Sequence, residues 1–392
     1  MLKFLRKTLE ANAHRFEKDG ALEKLYPLFE ATDTILFSTD EVTESGPHIR
    51  DSVDTKRVMI LVVMALIPLY IFGAMNVGVQ NGIATGIERT NGENFWFGFG
   101  TILPIIIITF TTGAFWEILF AIVRKHPISE GFLVTCALIP LVMPASIPLW
   151  QVSIATTFGI VIGKEIFGGV GMNIFNPALV ARAFLFFTYP ARISGDKVWV
   201  IGPDGYSGAT ALAVPAAEVN QNAEALLSGV TQFDFSWWNM FIGWIPGSIG
   251  ETSKLLIIFG ALFLAITKIA NWRVMAGALL GLFGTAFLTN LMASFSSNTM
   301  LSLPGYYHLV MGGFLFGMAF MATEPVTGSH TNKGRWVYGI LFGMLTVIVR
   351  SINPAYPEGT MLAILLLNAF APLIDWFVIQ GNIKRRVARY AQ

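Results

Sequence analysis

The sequence has 392 residues, of which 54% are hydrophobic and 13% are charged, against about 25% charged residues in soluble domains. This composition indicates an integral membrane protein. The formal net charge of +1 favours neither acidic nor basic partners, and no basic stripe with interleaved aromatic residues predicts a nucleic-acid partner.

Metal-ligating residues are few in this chain. The single cysteine lies inside an apolar run, and the five histidines show no ligand-like spacing. We therefore predict no metal site, no disulfide and no iron–sulfur cluster made by this chain alone. Two histidines on facing helices would suffice for haem, which no sequence spacing reveals.

Residues 1–57 lack the apolar stretch of a signal peptide and are charged throughout. Apolar residues recur there at helical spacing, at Leu2, Leu5, Leu9, Ala13 and Phe16. This pattern predicts an amphipathic helix that lies on the membrane or against a partner subunit. We expect residues 1–57 to form a cytoplasmic N-terminal segment.

Apolar runs in residues 58–380 predict an all-α integral membrane protein with about ten transmembrane helices, because about 20 apolar residues cross a bilayer. The predicted spans are Val58–Val79, Phe99–Val123, Phe132–Pro144, Pro148–Ile162, Ala178–Tyr189, Leu255–Ile269, Val274–Ala293, Tyr306–Met321, Trp336–Val349 and Met361–Ile379. Several of them are short. Phe132–Pro144, which contains Pro140, and Ala178–Tyr189 are expected to be half-helices or broken helices near a binding site.

The basic residues predict the orientation of these spans. Most of the 26 Lys and Arg residues fall on one side of a ten-span arrangement, above all in the two tails. The positive-inside rule then places both termini, including the basic tail 381–392, in the cytoplasm. The polar segment 190–254 is therefore expected on the periplasmic side.

Two stretches of the chain echo each other. Ile118–Phe120, Ile122–Arg124, Glu130–Gly131 and Pro144 correspond to Ile340–Phe342, Ile348–Arg350, Glu358–Gly359 and Pro372. The echo indicates an inverted repeat of two five-helix halves. Chance similarity between apolar helices explains it equally well.

The most unusual polar stretch runs from Asp204 to Thr210 and reads Asp-Gly-Tyr-Ser-Gly-Ala-Thr. Its small residues leave the backbone bare, so a bulky planar group or a modifying enzyme can reach the Thr210 hydroxyl. This favours Thr210 as an attachment site. The alternative is a polar turn, or an N-cap by Ser207 that opens a helix through Ala213.

Stretches distributed over the whole chain carry a family resemblance. They are Arg50–Asp54, Phe115–Glu117, Val123–His126, Gly163–Gly169, Asn176–Leu179, Arg182–Phe184, Asp204–Thr210, Ile245–Glu251, Asn353–Gly359 and Lys384–Arg386. Together they resemble the B subunits of the sodium-translocating NADH:quinone oxidoreductases (Na+-NQR), which are related to the D subunits of Rnf complexes. The long N-terminal tail and Ile245–Glu251 favour the Na+-NQR assignment.

The resemblance implies a translocase subunit that passes electrons from covalent FMN through noncovalent riboflavin to ubiquinone while Na+ is exported. It implies an FMN phosphoester on Thr210, with Asp204, Ser207, Gly208 and Ala209 in the signal for a flavin transferase. It also implies a six-subunit complex in the bacterial cell inner membrane. NADH oxidation is expected in another subunit, because no glycine-rich dinucleotide motif is present here.

Asn173 and Asn176 are the candidates for binding riboflavin. They lie in a glycine-rich stretch where the backbone allows close approach, and each amide can donate and accept, as the pyrimidine edge of a flavin requires. The alternative is that both residues cap the helix that begins at Pro177.

Gly113, Ala114 and Glu117 lie where the resemblance implies quinone binding near the cytoplasmic surface. The family tends to have a second glycine where this chain has Ala114, so we expect a tighter pocket here. The alternative is that Glu117 pairs with Arg124 or Lys125 at a helix end.

Acidic residues inside membrane segments are costly, by about 2.5–3.5 kcal/mol each on insertion scales, and they therefore invite a functional explanation. Asp375 and Glu324 are candidates for the cation path, together with Glu117. For Glu324, and for the nearby Glu165, a structural role at a span end is the alternative.

Two other functions stay open on the sequence. One is an Rnf-type electron-transfer subunit, which shares the attachment motif. The other is a solute channel or transporter built on an inverted repeat, with no redox role. The second alternative predicts a protein without bound flavin.

Overall fold

The computed structural model describes residues 55–390 except 126–127, 129–130, 204 and 353–357, together with residues 11, 13–16, 20, 22, 26, 29 and 46. The predicted N-terminal amphipathic helix therefore lies almost entirely outside the described residues and stays a prediction. The same is true of Asp204 and Glu130.

The described part of the chain is helical and contains no β-strand beyond an isolated bridge between Val219 and Asn298. Its α-helices are α1 Thr55–Thr85, α2 Asn91–Arg124, α3 Gly131–Leu141, α4 Leu149–Val161, α5 Pro177–Thr188, α6 Ala213–Ala217, α7 Ala223–Gly229, α8 Trp237–Ile242, α9 Lys254–Ile266, α10 Trp272–Met292, α11 Gly305–Val310, α12 Phe314–Phe320, α13 Asn332–Ile352 and α14 Thr360–Tyr390.

Five of these helices are long and apolar enough to cross a membrane: α1, α2, α10, α13 and α14. The helices α3, α5 and α9 are equally apolar in character but have only 11 to 13 residues. The all-helical membrane protein expected from the sequence is confirmed. The count of ten spans stays a prediction.

Glycines allow the long helices to approach each other backbone to backbone. A Cβ atom on Gly281 or Gly343 would overlap the backbone of the facing helix, at Ile340 and Ala278 respectively. Gly98 of α2 lies equally close to Ala74 of α1. Small residues at contacts are a usual means by which helices associate in a membrane. Lipid tails are as apolar as the side chains, so the hydrophobic effect contributes little to helix association there.

Two breaks bring irregular backbone into the interior. The loop that precedes α9 packs against the end of α3, where Gly250 N–H donates to Leu141 O at 2.8 Å. The predicted span Tyr306–Met321 consists of two short helices, because α11 and α12 are separated at residues 311–313, where Gly312 has a φ of +59°. Such breaks are tolerated where protein surrounds them.

The two sequence echoes occupy similar places in the fold. Arg124 ends α2 and Arg350 lies in the last turn of α13. Gly131 begins α3, and Gly359 immediately precedes α14. The prolines differ, since Pro372 lies inside α14 and Pro144 lies in a loop after α3. The inverted repeat stays a prediction.

The polar segment 190–254 has a small core of its own. Leu212, Leu227, Phe233 and Met240 are buried there and pack with Met311, beside the break between α11 and α12. The helices α6 to α8 of this segment have only 5 to 7 residues, and they pack around this small core. The last residues of the segment, 248–254, are buried among the membrane helices.

Candidate functional site

The loop between α4 and α5 is shaped by glycine. Gly168, Gly169 and Gly171 all have positive φ values, which a residue with a side chain rarely adopts. The loop ends at Asn176, whose side-chain oxygen accepts from Ala178 N (3.0 Å) and Leu179 N (3.2 Å). Asn176 therefore caps α5, as the alternative interpretation predicted for it.

This loop borders an internal cavity, which also touches α1, α3, α9, α12 and the chain that follows α12. Its volume of about 90 Å³ is room for several water molecules. Most of the lining is apolar, and the polar or charged members are Thr135, Lys164, Asn173, Asn176, Thr323 and Glu324. The cavity thus joins both riboflavin candidates to one cation-path candidate.

Glu324 is the polar centre of this lining. Its Oε2 atom accepts from Asn176 Nδ2 and from the Thr327 hydroxyl, both at 2.9 Å. The amide of Asn176 is therefore fully used by the helix cap and by Glu324. Asn173 also contacts Glu324 through its side chain, and its Nδ2 donates to Phe175 O at 3.1 Å. No residue among those described is recorded as donating to Asn173 Oδ1.

A buried ionic network lies next to the cavity. Lys164, which is 1% exposed, pairs with Glu117 and lies 3.6 Å from Glu165 Oε1. Arg124 pairs with Glu165 Oε2 at 3.1 Å and donates to the Glu165 carbonyl at 2.5 Å. Glu117 is thus ion-paired as the alternative proposed, but the predicted partners Arg124 and Lys125 are wrong and Lys164 takes their place.

The quinone candidates lie on α2 beside this network. Gly113 and Glu117 are buried and face the protein, whereas Ala114 is half-buried. A Cβ atom on Gly113 would overlap the Cys136 sulfur and press on Phe132, both in α3. Gly113 therefore serves close helix packing, and Glu117 is within reach of the cavity through Lys164.

Asp375 of α14 binds the loop that precedes α13. Its Oδ1 accepts from the Ser329 and Thr331 hydroxyl groups (both 2.6 Å) and from Thr331 N (3.0 Å), and its Oδ2 accepts from His330 N (2.7 Å). Asp375 is 8% exposed. It holds one end of the loop 321–331, whose other end carries Glu324.

Thr210 lies elsewhere, at the opposite end of the helices that line the cavity. The loop before it is fastened by Gly208 N–H to Asp196 O at 2.7 Å, and Gly208 packs so closely on Val200 that a Cβ atom would overlap that side chain. No helix begins at Ser207; the next one is α6, whose N-cap is Leu212. The N-cap alternative for Ser207 is therefore wrong.

The Thr210 side chain is half-buried, and no described residue forms a hydrogen bond with its hydroxyl. Two spaces flank it. A surface groove of about 480 Å³ is lined by its neighbours Ala209 and Ala213, and its polar members are Asp196, Glu218 and Gln221. On the inner side, Thr210 lines a small cavity.

Sequence reasoning missed a cluster of buried charges behind Thr210. The cluster contains Arg182, Glu251, Lys254, Arg350 and Glu358. Arg182 pairs with Glu358, Lys254 donates to the Glu251 carbonyl, and Arg350 donates to Glu358 O at 3.0 Å. Lys254 and Arg350 have no exposed surface. The one feature of the sequence that could have indicated this cluster is the presence of charged residues at the edges of apolar spans.

The predicted site residues thus fall into two groups. Glu117, Asn173, Asn176 and Glu324 gather around the internal cavity, and Asp375 supports the same loop as Glu324. Ser207, Gly208, Ala209 and Thr210 form the second group, in which Ala209 lines the outer groove and Thr210 lines the small inner cavity. Among the described residues no cluster of three or more His, Cys, Asp or Glu side chains offers a metal site.

These features define a helical membrane protein whose polar groups collect where helices break. A model of the NQR2, RnfD, RnfE family matches residues 42–384. The chain belongs to this family.

Curated relatives match the chain over nearly its whole length. The B subunit of a Na(+)-translocating NADH-quinone reductase from Chromohalobacter salexigens is 49% identical, covering 99% of this chain and 97% of its own. Proteins of the same name from Klebsiella pneumoniae and Pseudomonas aeruginosa are 47% and 46% identical, each covering 98% of this chain and 99% of their own.

Proposed function

We propose that this chain is the B-type membrane subunit of a sodium-translocating NADH:quinone reductase, a translocase complex. Relatives of that name match 98–99% of its length. The Rnf-type alternative is less well supported, because the high-identity relatives carry the other name. The partners would be the remaining subunits of a six-subunit complex.

Within that complex, Thr210 would carry FMN through a phosphoester formed by a flavin transferase. The observation that supports this proposal is the environment of Thr210, a half-buried residue whose hydroxyl has no partner among the described residues and whose neighbour Ala209 lines an open groove. Bound flavin supplies one- and two-electron chemistry. The chain itself supplies a tether that removes the entropy cost of binding.

The internal cavity fits the chemistry of riboflavin, with an apolar lining and few polar groups. Asn173 Oδ1 would accept from the ring edge, while Asn176 would hold Glu324 in position. The present volume is smaller than a flavin ring, so the lining must open. Val170 lines the cavity and lies on the glycine-rich loop. We expect this loop to move when the cavity opens, because glycine allows more backbone conformations than other residues.

Quinone would bind near Gly113, Ala114 and Glu117, and sodium would pass Glu324 and Asp375. Supporting this, Glu117 connects to the cavity through Lys164, and Asp375 holds the loop that carries Glu324. We further infer ten spans in an inverted repeat, an inner-membrane location and cytoplasmic termini. The short helices α3, α5 and α9 then complete spans together with irregular backbone.

Flavin attachment tests the central proposal. The full chain is expressed with a flavin transferase and separated on a denaturing gel, where the wild type should show ultraviolet fluorescence. Thr210→Ala should abolish this fluorescence, and Thr231→Ala, which changes an exposed threonine of the same segment, should retain it. A wild-type band without fluorescence would favour the non-redox transporter and overturn the proposal.

The cation role of Asp375 needs a separate test. In the assembled complex, Asp375→Ala should weaken the dependence of quinone reduction on sodium concentration. Because Asp375 also supports the loop 329–331, Ser329→Ala is the matched control, since it removes one of the same hydrogen bonds and keeps the carboxylate. An unchanged sodium dependence in Asp375→Ala would refute the cation role.

A further inference from the structure

The end of the molecule that contains the internal cavity carries two groups of basic side chains, which differ in their partners. In the first half of the chain, Arg124 pairs with Glu165 and Lys164 pairs with Glu117. In the second half, no described carboxylate forms an ion pair with a basic residue at this end. The basic residues of the second group are Lys268, Arg273, Lys333, Arg335 and the four cations of residues 384–389.

The carboxylates of the second half are all engaged elsewhere. From residue 255 onward the sequence contains only Glu324, Glu358 and Asp375. Glu324 accepts from neutral groups beside the cavity, Asp375 accepts from the loop 329–331, and Glu358 pairs with Arg182 in the buried charge cluster. The second group of cations therefore stays without a neutralising carboxylate among the described residues.

Ring contacts and a hydrogen bond place this group at one end of three adjoining helices. Ala270, just before α10, lines the internal cavity. Trp272 of α10 packs edge-on against Trp336 of α13 with ring centroids 5.6 Å apart, and the Arg273 guanidinium lies 4.8 Å from the centre of the Trp272 ring. Arg335 donates to a carbonyl of the loop that α14 holds. We call this end of α10, α13 and α14 the basic surface.

Exposed aromatic rings lie at the same level as the basic surface. Trp272 is 53% exposed and Trp376 of α14 is 51% exposed, and tryptophan is enriched where a membrane meets water. Nearer the middle of the same helices, Leu280 and Leu373 are exposed. The cations therefore border an apolar face that acyl chains can cover.

The basic tail of α14 lies close enough to act on the same layer. Lys384 follows Trp376 by eight residues, which is about 12 Å along a helix. Side chains of a helix tilt toward its N-terminus, which here is toward the membrane. Exposed charges act over a Debye length of about 8 Å at physiological ionic strength, so the first tail cations reach the headgroup layer.

We propose that the basic surface binds the phosphate groups of anionic lipids. An anionic lipid supplies a negative headgroup to the cations and acyl chains to the apolar face beside them. An acidic protein surface would satisfy the cations but would leave that apolar face uncovered. Membrane topology requires cations at a cytoplasmic end, but it does not require that one group of them lack the carboxylate partners that the other group has.

The experiment measures how lipids stabilise the full chain against heat. The chain is purified in detergent, and its unfolding temperature is measured with added phosphatidylglycerol or with the same amount of phosphatidylcholine, which has no net charge. In the wild type, phosphatidylglycerol should raise the unfolding temperature more. About 1 M salt, at which the Debye length falls to about 3 Å, should remove this difference.

Neutralising the tail tests the contribution of α14. The variant combines Lys384→Gln, Arg385→Gln, Arg386→Gln and Arg389→Gln. Each cation near an anionic membrane surface strengthens binding about fivefold, so the variant should need at least tenfold more phosphatidylglycerol for the same stabilisation. A tail in which the three arginines are replaced by lysine should behave as the wild type does.

A second variant tests the cation that lies on the aromatic ring. Arg273→Gln should weaken the response to phosphatidylglycerol about fivefold. The matched control combines Arg192→Gln and Lys197→Gln, which removes two exposed cations of the segment 190–254. This control should leave the response unchanged.

Each of four results would overturn the proposal. One is equal stabilisation of the wild type by both lipids, and another is a wild-type response in both the tail variant and Arg273→Gln. If the variants do not fold, a preference for phosphatidylglycerol that persists in the wild type at about 1 M salt decides against it. Absence of a lipid preference, together with protection of Lys384 from an amine-reactive label only in the assembled complex, would assign the surface to an acidic subunit instead.

Discussion

The internal cavity and the cavity behind Thr210 are both built at helix breaks, yet they have opposite formal charge. The network at the internal cavity contains Glu117, Glu165 and Glu324 with the cations Lys164 and Arg124. The cluster behind Thr210 contains more cations than carboxylates. Among the described side chains named here, the first region has one more carboxylate than cations, and the second has one more cation than carboxylates.

The two regions also use their polar atoms differently. At the internal cavity, Asn176 and Glu324 satisfy each other and cap a helix. Behind Thr210, a hydroxyl is left without a partner among the described residues. Asn176 is therefore engaged before any ligand binds, whereas the Thr210 hydroxyl stays available for attachment. The following changes would break or sharpen this contrast.

The largest effect is expected for Lys164→Met. Removing one member of a buried pair leaves Glu117 charged and unpaired, which costs about 3–5 kcal/mol of unfolding free energy. Chemical denaturation of the detergent-solubilised chain measures it. The double variant Glu117→Leu with Lys164→Met should recover most of the loss, and a double variant as unstable as the single one would contradict the ion-pair explanation.

A smaller effect is expected for Asp375→Ala, at about 2–3 kcal/mol, because four donors lose a charged acceptor. The loop 329–331 should then become accessible to limited proteolysis. Asp375→Asn, which keeps one acceptor oxygen, should lie between the variant and the wild type. Equal protection of the loop in all three proteins would show that Asp375 does not hold it.

Asn176→Ala should cost about 1 kcal/mol through the lost helix cap and should also release noncovalent riboflavin from the complex. The matched control is Asn271→Ala, which removes the cap of α10, where Asn271 accepts from Arg273 N, without touching the cavity. Flavin extraction and quantification distinguish the two. Equal riboflavin content in both variants would argue against binding beside Asn176.

A similarly small effect on stability is expected for Gly208→Ala, through overlap with Val200. We expect a loss of about 1 kcal/mol, as for mild overpacking, and a lower yield of gel-stable flavin. Val200→Ala in the same chain should restore the yield by making room. A yield that stays low in the double variant would mean that the transferase reads Gly208 directly.

Local features were predictable because short-range chemistry determines them. The apolar runs predicted most of the apolar helices to within a few residues, as for α5 at Pro177–Thr188. Such a helix is determined by the residues of one continuous stretch, so the sequence of that stretch is enough to predict it. Asn176 before a proline indicated a cap. The Thr210 motif was found because small residues are conspicuous in a polar loop.

Pairings between distant residues were not predictable from one sequence. Lys164 and Glu117 belong to different parts of the chain, and no spacing rule relates them. Lys254 was placed at a loop end by its charge, yet the insertion of residues 248–254 buries it completely. The break at Gly312 was missed because hydropathy alone does not distinguish two short apolar helices from one long helix.

The helix α3 has one end in each region. Gly131 and Val134 line the internal cavity, and Leu141 at the other end accepts a hydrogen bond from Gly250, next to Glu251. With 11 residues, it measures about 16 Å at 1.5 Å per residue. This helix is therefore the spacer between the two sites, and inserting a single residue in it would lengthen it by about 1.5 Å and rotate one end against the other by about 100°.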